Sequence, residues 1–411
     1  MAPARSGNGE LVLHALEAPG LDPEQRVAVR VSGDHPRHHA AGDGLPAGAA
    51  RAEAVAVRLT RDSHELRWGD PDVVVDARGL VDLCWERGAS SVEMVRADPT
   101  LLRALQIGTY FSSPWRRRVA RRVLSAMPRS LLPRLPARVA ADVAFWRGAR
   151  SRATEREWVR LTRTSYVVVY YHRIAGERKP EQRRWDVAPE RFERQISWLR
   201  RLGMHSVPAE ELIAFHAGAT ETLPRRTIVL AADDGFRDAV VALGRHADLR
   251  PYLFVPTAAA GGSATWMGGG AIASWDELVA VAARGAEIGS HTRTHASLPG
   301  LDLEPLVDEL ESSLREVRAR IPRASAMLAY PHGRNDETVR RVANEVGYQI
   351  AFSTDPGRNG AGTDPYRLRR VELKDWDGPV AVAWKALTGE SFPWALERWK
   401  LRLLAWRGQR P

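Results

Sequence analysis

Two carboxylates stand side by side at Asp233 and Asp234, directly after the apolar run Ile228 to Ala232 and before a glycine. Neighbouring negative charges repel, so the doublet needs either a solvated turn or a cation that offsets the repulsion. The sequence beyond it offers partners for a cation. His291 and His295, in SHTRTH, are four residues apart, a spacing that one helical turn would use to point both imidazoles the same way. With one carboxylate they make a His₂-carboxylate donor set that leaves positions open for water. A metal so held lowers the pKa of bound water from about 15.7 towards about 7 and polarises a carbonyl. On this reading Asp234 binds the metal and Asp233 accepts the proton of the attacking water. Taken singly, Asp-Asp-Gly also suits an ordinary turn, and His-x-x-x-His a surface pair.

What argues for a site is where these residues fall. Seven short β-type runs recur over about 210 residues: SYVVVYY (165–171), MHSV (204–207), TIVLAA (227–232), PYLFV (251–255), AEIGS (286–290), AMLAY (326–330) and YQIAF (348–352). Amphipathic stretches such as RFERQISWLRRL and LEPLVDELESSLREVRARI separate them. Alternating β and α segments predict a parallel sheet, open or closed into a barrel. The runs are apolar throughout, as strands covered on both faces should be. His172 follows the first run, Asp233 and Asp234 close the third, and His291 and His295 follow the fifth. Pro331, His332 and Gly333 follow the sixth. All stand at the carboxyl ends of strands, the rim where barrel active sites are built.

Elsewhere the chain is less informative. Its 411 residues suggest two or three domains, and 44% hydrophobic with 27% charged residues is a globular composition. Residues 1–110 read as a small α/β domain, with strand-like Val27–Val31, Val55–Leu59, Val73–Val75 and Ser91–Val95 and helical Leu80–Arg87 and Pro99–Leu105. Residues 111–163 read as an arginine-rich helical connector whose Trp115, Trp146 and Trp158 suit either a solvated face or an anionic membrane. The predicted catalytic domain is 164–378, and 379–411 is a helical tail in which Leu396, Trp399, Leu403 and Trp406 share one face. The histidines His35, His38 and His39 lie in a Gly/Pro-rich loop without a strand framework and are not read as a metal site. The net charge of +10 is carried almost wholly by arginine, and no nucleic-acid motif accompanies it, so no nucleic-acid partner is expected. One cysteine, Cys84, excludes an internal disulfide, and no secretory signal is visible. Both favour a cytoplasmic location, with a peripheral position at the inner membrane face as the variant the basic segments suggest.

The third region resembles the polysaccharide deacetylase family (the NodB homology domain, carbohydrate esterase family 4). DDGF is similar to its first motif, SHTRTH to its second and YPHG to its third. VVVYYHRI is similar to the opening of one branch, and RLRRVEL to the segment that closes the domain. The resemblance covers roughly 165–376 and implies a distorted seven-stranded (β/α) barrel. It implies Asp233 as general base and Asp234, His291 and His295 as ligands of a divalent metal, most often Zn²⁺. In the Tyr-His-Arg branch the opening histidine is the general acid, which is His172 here; no histidine follows His332. The family holds the oxyanion with a backbone N–H at the aromatic position of the third motif, occupied here by His332. Ala231 and Ala232 replace its Thr-Phe, and its arginine ahead of the third motif is absent, which leaves Arg370 to orient Asp233.

The implied reaction is metal-dependent removal of an N-acetyl group from an amino sugar in a polysaccharide or lipid-linked glycan precursor, releasing acetate. The alternatives are deformylation of a lipid-linked formylamino sugar and a carbohydrate-binding module without turnover.

Overall fold

A computed structural model describes residues 77–176, 184–266, 269–321 and 323–392, with the backbone of 58–59, 66–68 and 73–75. The strand expected at Val27–Val31, the loop histidines His35, His38 and His39 and the tail beyond residue 392 lie outside the described residues. The chain divides into two compact units, Met1–Arg163 and Thr164–Pro411.

In the first unit β1 (Arg58–Leu59), β2 (Leu66–Trp68) and β3 (Val73–Val75) form an antiparallel sheet in sequence order. Four α-helices follow: α1 (Ala77–Ala97), α2 (Trp115–Leu124), α3 (Ala137–Arg152) and α4 (Glu155–Thr162). The strand expected at Ser91–Val95 is instead the last part of α1. Its β-branched valines suggested extension, but buried Leu80, Val81, Cys84, Gly88, Ser91 and Val92 recur at helical spacing and share one face. That face meets α3 closely. A Cβ on Gly88 would stand 1.9 Å from the Phe145 carbonyl oxygen, and one on Gly148 would stand 1.8 Å from that of Trp85. Two glycines therefore set the helix separation, and they join segments on either side of residue 110 into the same unit. Pro99–Leu102 is a single 3₁₀ turn started by the Asp98 side chain. Trp146 is buried against Tyr110 and Phe145, so it is a core residue of this unit.

The second unit is an α/β barrel-like sheet. Seven parallel strands run in the order β11 (Ile350–Phe352), β10 (Met327–Ala329), β9 (Glu287–Ser290), β8 (Tyr252–Val255), β7 (Ile228–Ala232), β4 (Ser165–Tyr171) and β13 (Val371–Glu372). Short β12 (Asn359–Gly360) pairs antiparallel with β4, and β5 (Arg173–Ile174) pairs with β6 (Asp186–Val187). The sheet is curled: Leu368 bridges Phe352 in parallel, and the same segment continues into β13 beside β4. The seventh strand is thus 371–372, inside the RLRRVEL segment. The run expected at 204–207 makes only one bridge, His205 to Thr227. Pro208 follows at once, lacks a ladder donor and starts α6 (Ala209–Ala217).

Strand periodicity sorts the two faces. Val167, Val169 and Tyr171 of β4, with Ile228, Leu230 and Ala232 of β7, pack outward on a core shared with α5 (Pro189–Arg201), α7 (Arg237–Gly244), α8 (Trp275–Ala283) and α11 (Pro379–Thr388). A second core lies where α9 (Leu303–Arg320) and α10 (Glu337–Val346) cover β10. Leu306, Leu310, Leu314 and Val317 make the buried stripe of α9. The other sheet face holds Tyr170, Phe254 and Phe352 around one fully buried cation, Arg370.

Candidate metal centre

Asp233 and Asp234 follow β7 directly, and both side chains are buried. The Asp233 N–H donates to Tyr171 O at 3.0 Å, which ties the end of β7 to the end of β4. Asp234 has φ +66°, so its side chain departs from the strand alternation and diverges from that of Asp233. The doublet is split in this way. Asp233 turns to Arg370, which donates from Nη1 to Oδ1 at 2.6 Å and from Nη2 to Oδ2 at 2.9 Å. Arg370 is itself fixed by Nε donating to Ser353 O (2.8 Å) and by the Tyr170 ring 4.5 Å from its guanidinium carbon. The two-point fork sets the plane of the Asp233 carboxylate.

Asp234 turns to the histidines. Its Oδ1 lies 3.4 Å from His291 Nε2 and 3.1 Å from His295 Nε2, and one donor atom from each of the three residues lies within 4.8 Å of the others. Ligand atoms about 2.0–2.1 Å from one ion stand roughly 3.0–3.4 Å apart in octahedral or tetrahedral geometry, so these separations fit a shared cation. The ring chemistry fits too. His291 Nδ1 is 2.7 Å from Ala329 O, so it carries the proton and leaves Nε2 as a lone-pair donor facing Asp234. Burial by itself would raise the Asp234 carboxyl; the facing imidazoles of His291 and His295 outweigh it and hold the group well below the carboxylate range. Burial and the neighbouring His291 imidazole depress His295 more than Asp234 raises it. A neutral imidazole is the form that ligates.

The His-x-x-x-His segment is not the helical turn that its spacing suggested. Residues 291–295 form a bend in which Thr292 and His295 have φ of +65° and +66°. Side chains hold the bend. Thr292 N–H donates to Ser290 Oγ (2.9 Å) and His295 N–H to Thr292 Oγ1 (3.1 Å). Glu309, on α9, accepts from the N–H groups of Arg293 (3.0 Å) and Thr294 (2.9 Å) and from the Thr294 hydroxyl (2.5 Å). Trp266 stacks on the His295 ring, with centroids 4.5 Å apart and planes at 13°. Neither Glu309 nor Trp266 was singled out from sequence, and nothing in their local context marks them.

His172 stands after β4, at the same rim. Its Nδ1 is 3.2 Å from Glu372 Oε1, at the end of β13, and each side chain is 17% exposed. Burial lowers the His172 pKa, but the hydrogen bond and charge of Glu372, with the charges of Asp234 and Asp233, raise it by more. Glu372 is depressed in return: burial raises it, and His172 and Lys374 overcome that. Lys374 pairs with the Glu372 carboxylate, and Lys385 Nζ donates to the Glu372 carbonyl (2.8 Å). Sequence reading named His172 and missed Glu372, 200 positions away. His332 sits in the 3₁₀ turn Pro331–Gly333 with φ +57°, its ring 5.0 Å from that of His295. Burial, with His291 and Arg334 nearby, lowers its pKa.

The curled parallel sheet with His172, Asp233, Asp234, His291, His295 and His332 beyond the carboxyl ends of its strands is a NodB-like (β/α) barrel. Residues 220–351 match the family Polysaccharide deacetylase. YxkH of Bacillus subtilis (strain 168), named as a polysaccharide deacetylase, is 23% identical over 223 residues, covering 53% of this chain and 74% of that protein. Among solved structures, the Streptococcus pyogenes deacetylase PplD in complex with acetate is 20% identical, with a TM-score of 0.46, over 53% of this chain and 96% of that one. IcaB from Ammonifex degensii is 22% identical, with a TM-score of 0.47, over 56% and 98%. The second unit thus carries a polysaccharide deacetylase domain over residues 220–351, and the enzyme class this supports is that of the N-deacetylase hydrolases.

Proposed function

We propose that the second unit hydrolyses the N-acetyl amide of an amino sugar within a polysaccharide or glycan precursor, with Asp234, His291 and His295 holding a divalent metal. One observation carries this reading. Three buried donor atoms converge on a single point while the adjacent Asp233 is held away from them by Arg370. A metal bound there supplies Lewis-acid polarisation of the carbonyl and acidifies water.

The chain's own residues do the rest. The Asp233 carboxylate, fixed in plane by the Arg370 fork, accepts the proton of the water that attacks the acyl carbon. Its oxygens keep lone pairs for this after accepting from Arg370. His172 delivers a proton to the departing nitrogen as the carbon–nitrogen bond breaks, giving acetate and the free amine. Glu372 holds Nδ1 of His172, leaving Nε2 as the proton donor, and keeps the ring protonated to higher pH. The turn at His332 supplies the backbone N–H proposed to face the oxyanion; such a donor is worth about 3 kcal/mol.

The test is metal analysis coupled to acetate release from N-acetylglucosamine oligomers. Asp234→Ala should lose bound zinc. Asp233→Asn should keep it and lose roughly 10²–10⁴ in kcat. Full turnover in D233N would overturn the assignment of the base.

A further inference from the structure

Helix α2 has its residue types on the wrong sides for a helix that only meets water. Arg118 and Arg121 point inward and are buried. Arg118 donates to the carbonyls of Phe111 (3.1 Å) and Ser113 (2.6 Å). Arg121 makes a two-point pair with Asp142, both at 2.7 Å, and lies 4.8 Å from the Trp146 ring. Val119 and Val123 point outward instead, 46% and 69% exposed. They are one turn apart and share a face, flanked by exposed Arg116, Arg117 and Arg122. Between Asp98 and Asp142 the sequence has nine arginines and no acidic residue. An outward apolar strip edged by guanidinium groups, with no acid in the segment to neutralise them, is the pattern of a helix lying in the plane of an anionic lipid surface.

We infer that the outer face of α2 docks the protein onto anionic membrane, Val119 and Val123 entering the headgroup region and Arg116, Arg117 and Arg122 contacting lipid phosphates. Nucleic acid would satisfy the arginines and leave the valines without a role. All of these residues belong to the first unit, so the inference does not depend on the proposed hydrolysis.

The experiment is cosedimentation of the full chain with phosphatidylcholine vesicles, with and without about 30 mol % phosphatidylglycerol. Binding is expected only to the anionic vesicles and should fall as salt shortens the screening length from about 10 Å at 0.1 M to about 3 Å at 1 M. Each arginine contributes about fivefold, so R116A/R117A/R122A should bind roughly 100-fold more weakly. V119S/V123S should bind about tenfold more weakly at unchanged charge. Absence of vesicle binding overturns the inference, as does binding that neither variant weakens. Binding that the valine variant leaves intact, with equal affinity for duplex DNA, also overturns it, because it shows general polyanion attraction. Acetate release from soluble oligomers by the same variants should be unchanged, which keeps failure of this inference separate from failure of the hydrolase reading.

Discussion

Arg370 gives the most direct handle on how the site works. It is fully buried, makes two hydrogen bonds to Asp233 and one to Ser353 O, and is ringed by Tyr170, Phe254 and Phe352. Two substitutions separate its charge from its shape. Arg370→Met keeps much of the volume and removes the charge, leaving Asp233, itself 3% exposed, without its partner. Breaking a buried pair from one side costs about 3–5 kcal/mol. For a unit of 164–411 that lowers the melting temperature by roughly 6–20 °C. Adding Asp233→Asn to R370M should recover part of the stability, because no unpaired charge is left, and recover none of the turnover. Arg370→Lys keeps the charge but offers a point donor in place of a planar fork. Its melting temperature should therefore fall less than that of R370M. Its kcat should still fall about 10²-fold, the usual cost of a reacting group misplaced by about 1 Å, with KM little changed. The assays are thermal unfolding and acetate release on the same preparations. An R370K enzyme with undiminished kcat would refute the claim that the fork orients the base.

Three further outcomes follow from neighbouring contacts. Glu372→Gln preserves shape and removes the charge that holds His172 above its ordinary pKa against burial. The protonated acid is present below that pKa and lost as pH rises through it, so the alkaline limb of the kcat–pH profile should move to lower pH while the acidic limb stays. An unmoved alkaline limb would show that Glu372 does not act through His172. Glu309→Ala touches no proposed ligand but frees three donors of the 291–295 bend, and metal affinity measured by chelator competition should fall about 10–100-fold. Gly88→Ala places a methyl group against the Phe145 carbonyl and should destabilise the first unit by about 1–3 kcal/mol or more, read by limited proteolysis. Acetate release should persist in G88A.

The parts of the site that a sequence shows are those set locally. Asp233 and Asp234 after an apolar run, and histidines after later runs, were legible because a strand's carboxyl end is a local event. What could not be read was set by distant chain. Arg370 reaches Asp233 across 137 positions, and only the absence of the family's usual arginine pointed to it. Glu372 reaches His172 through a two-residue strand too short to carry a periodic signal. The misread strands have the same origin. Residues 204–207 have strand-like composition, but Pro208 ends the pairing after one bridge. Residues 91–95 carry valines, but their packing partner is α3, some fifty residues on, and only that contact makes the helical face visible.

The bend at 291–295 shows why a spacing of four is not enough to specify geometry. Six non-glycine residues among those described have positive φ, and four of them, Asp234, Thr292, His295 and His332, belong to this site. Asp and His tolerate that region; a β-branched threonine rarely does, and such a residue costs on the order of 1–3 kcal/mol. Thr292 is held there because its surroundings over-determine it. Ser290 Oγ accepts its N–H and is itself bonded to Ser313 on α9 (2.9 Å), and the Thr292 hydroxyl accepts from His295. Glu309, one turn before Ser313 on the same helix, takes the N–H groups between them. A helical turn starting after β9 would leave the same N–H groups among its unpaired first-turn donors. In the left-handed bend Glu309 accepts both, and both Nε2 atoms come to 3.1–3.4 Å from one oxygen of Asp234. The same two histidines thus serve a different geometry, and what selects it is the side chains of α9.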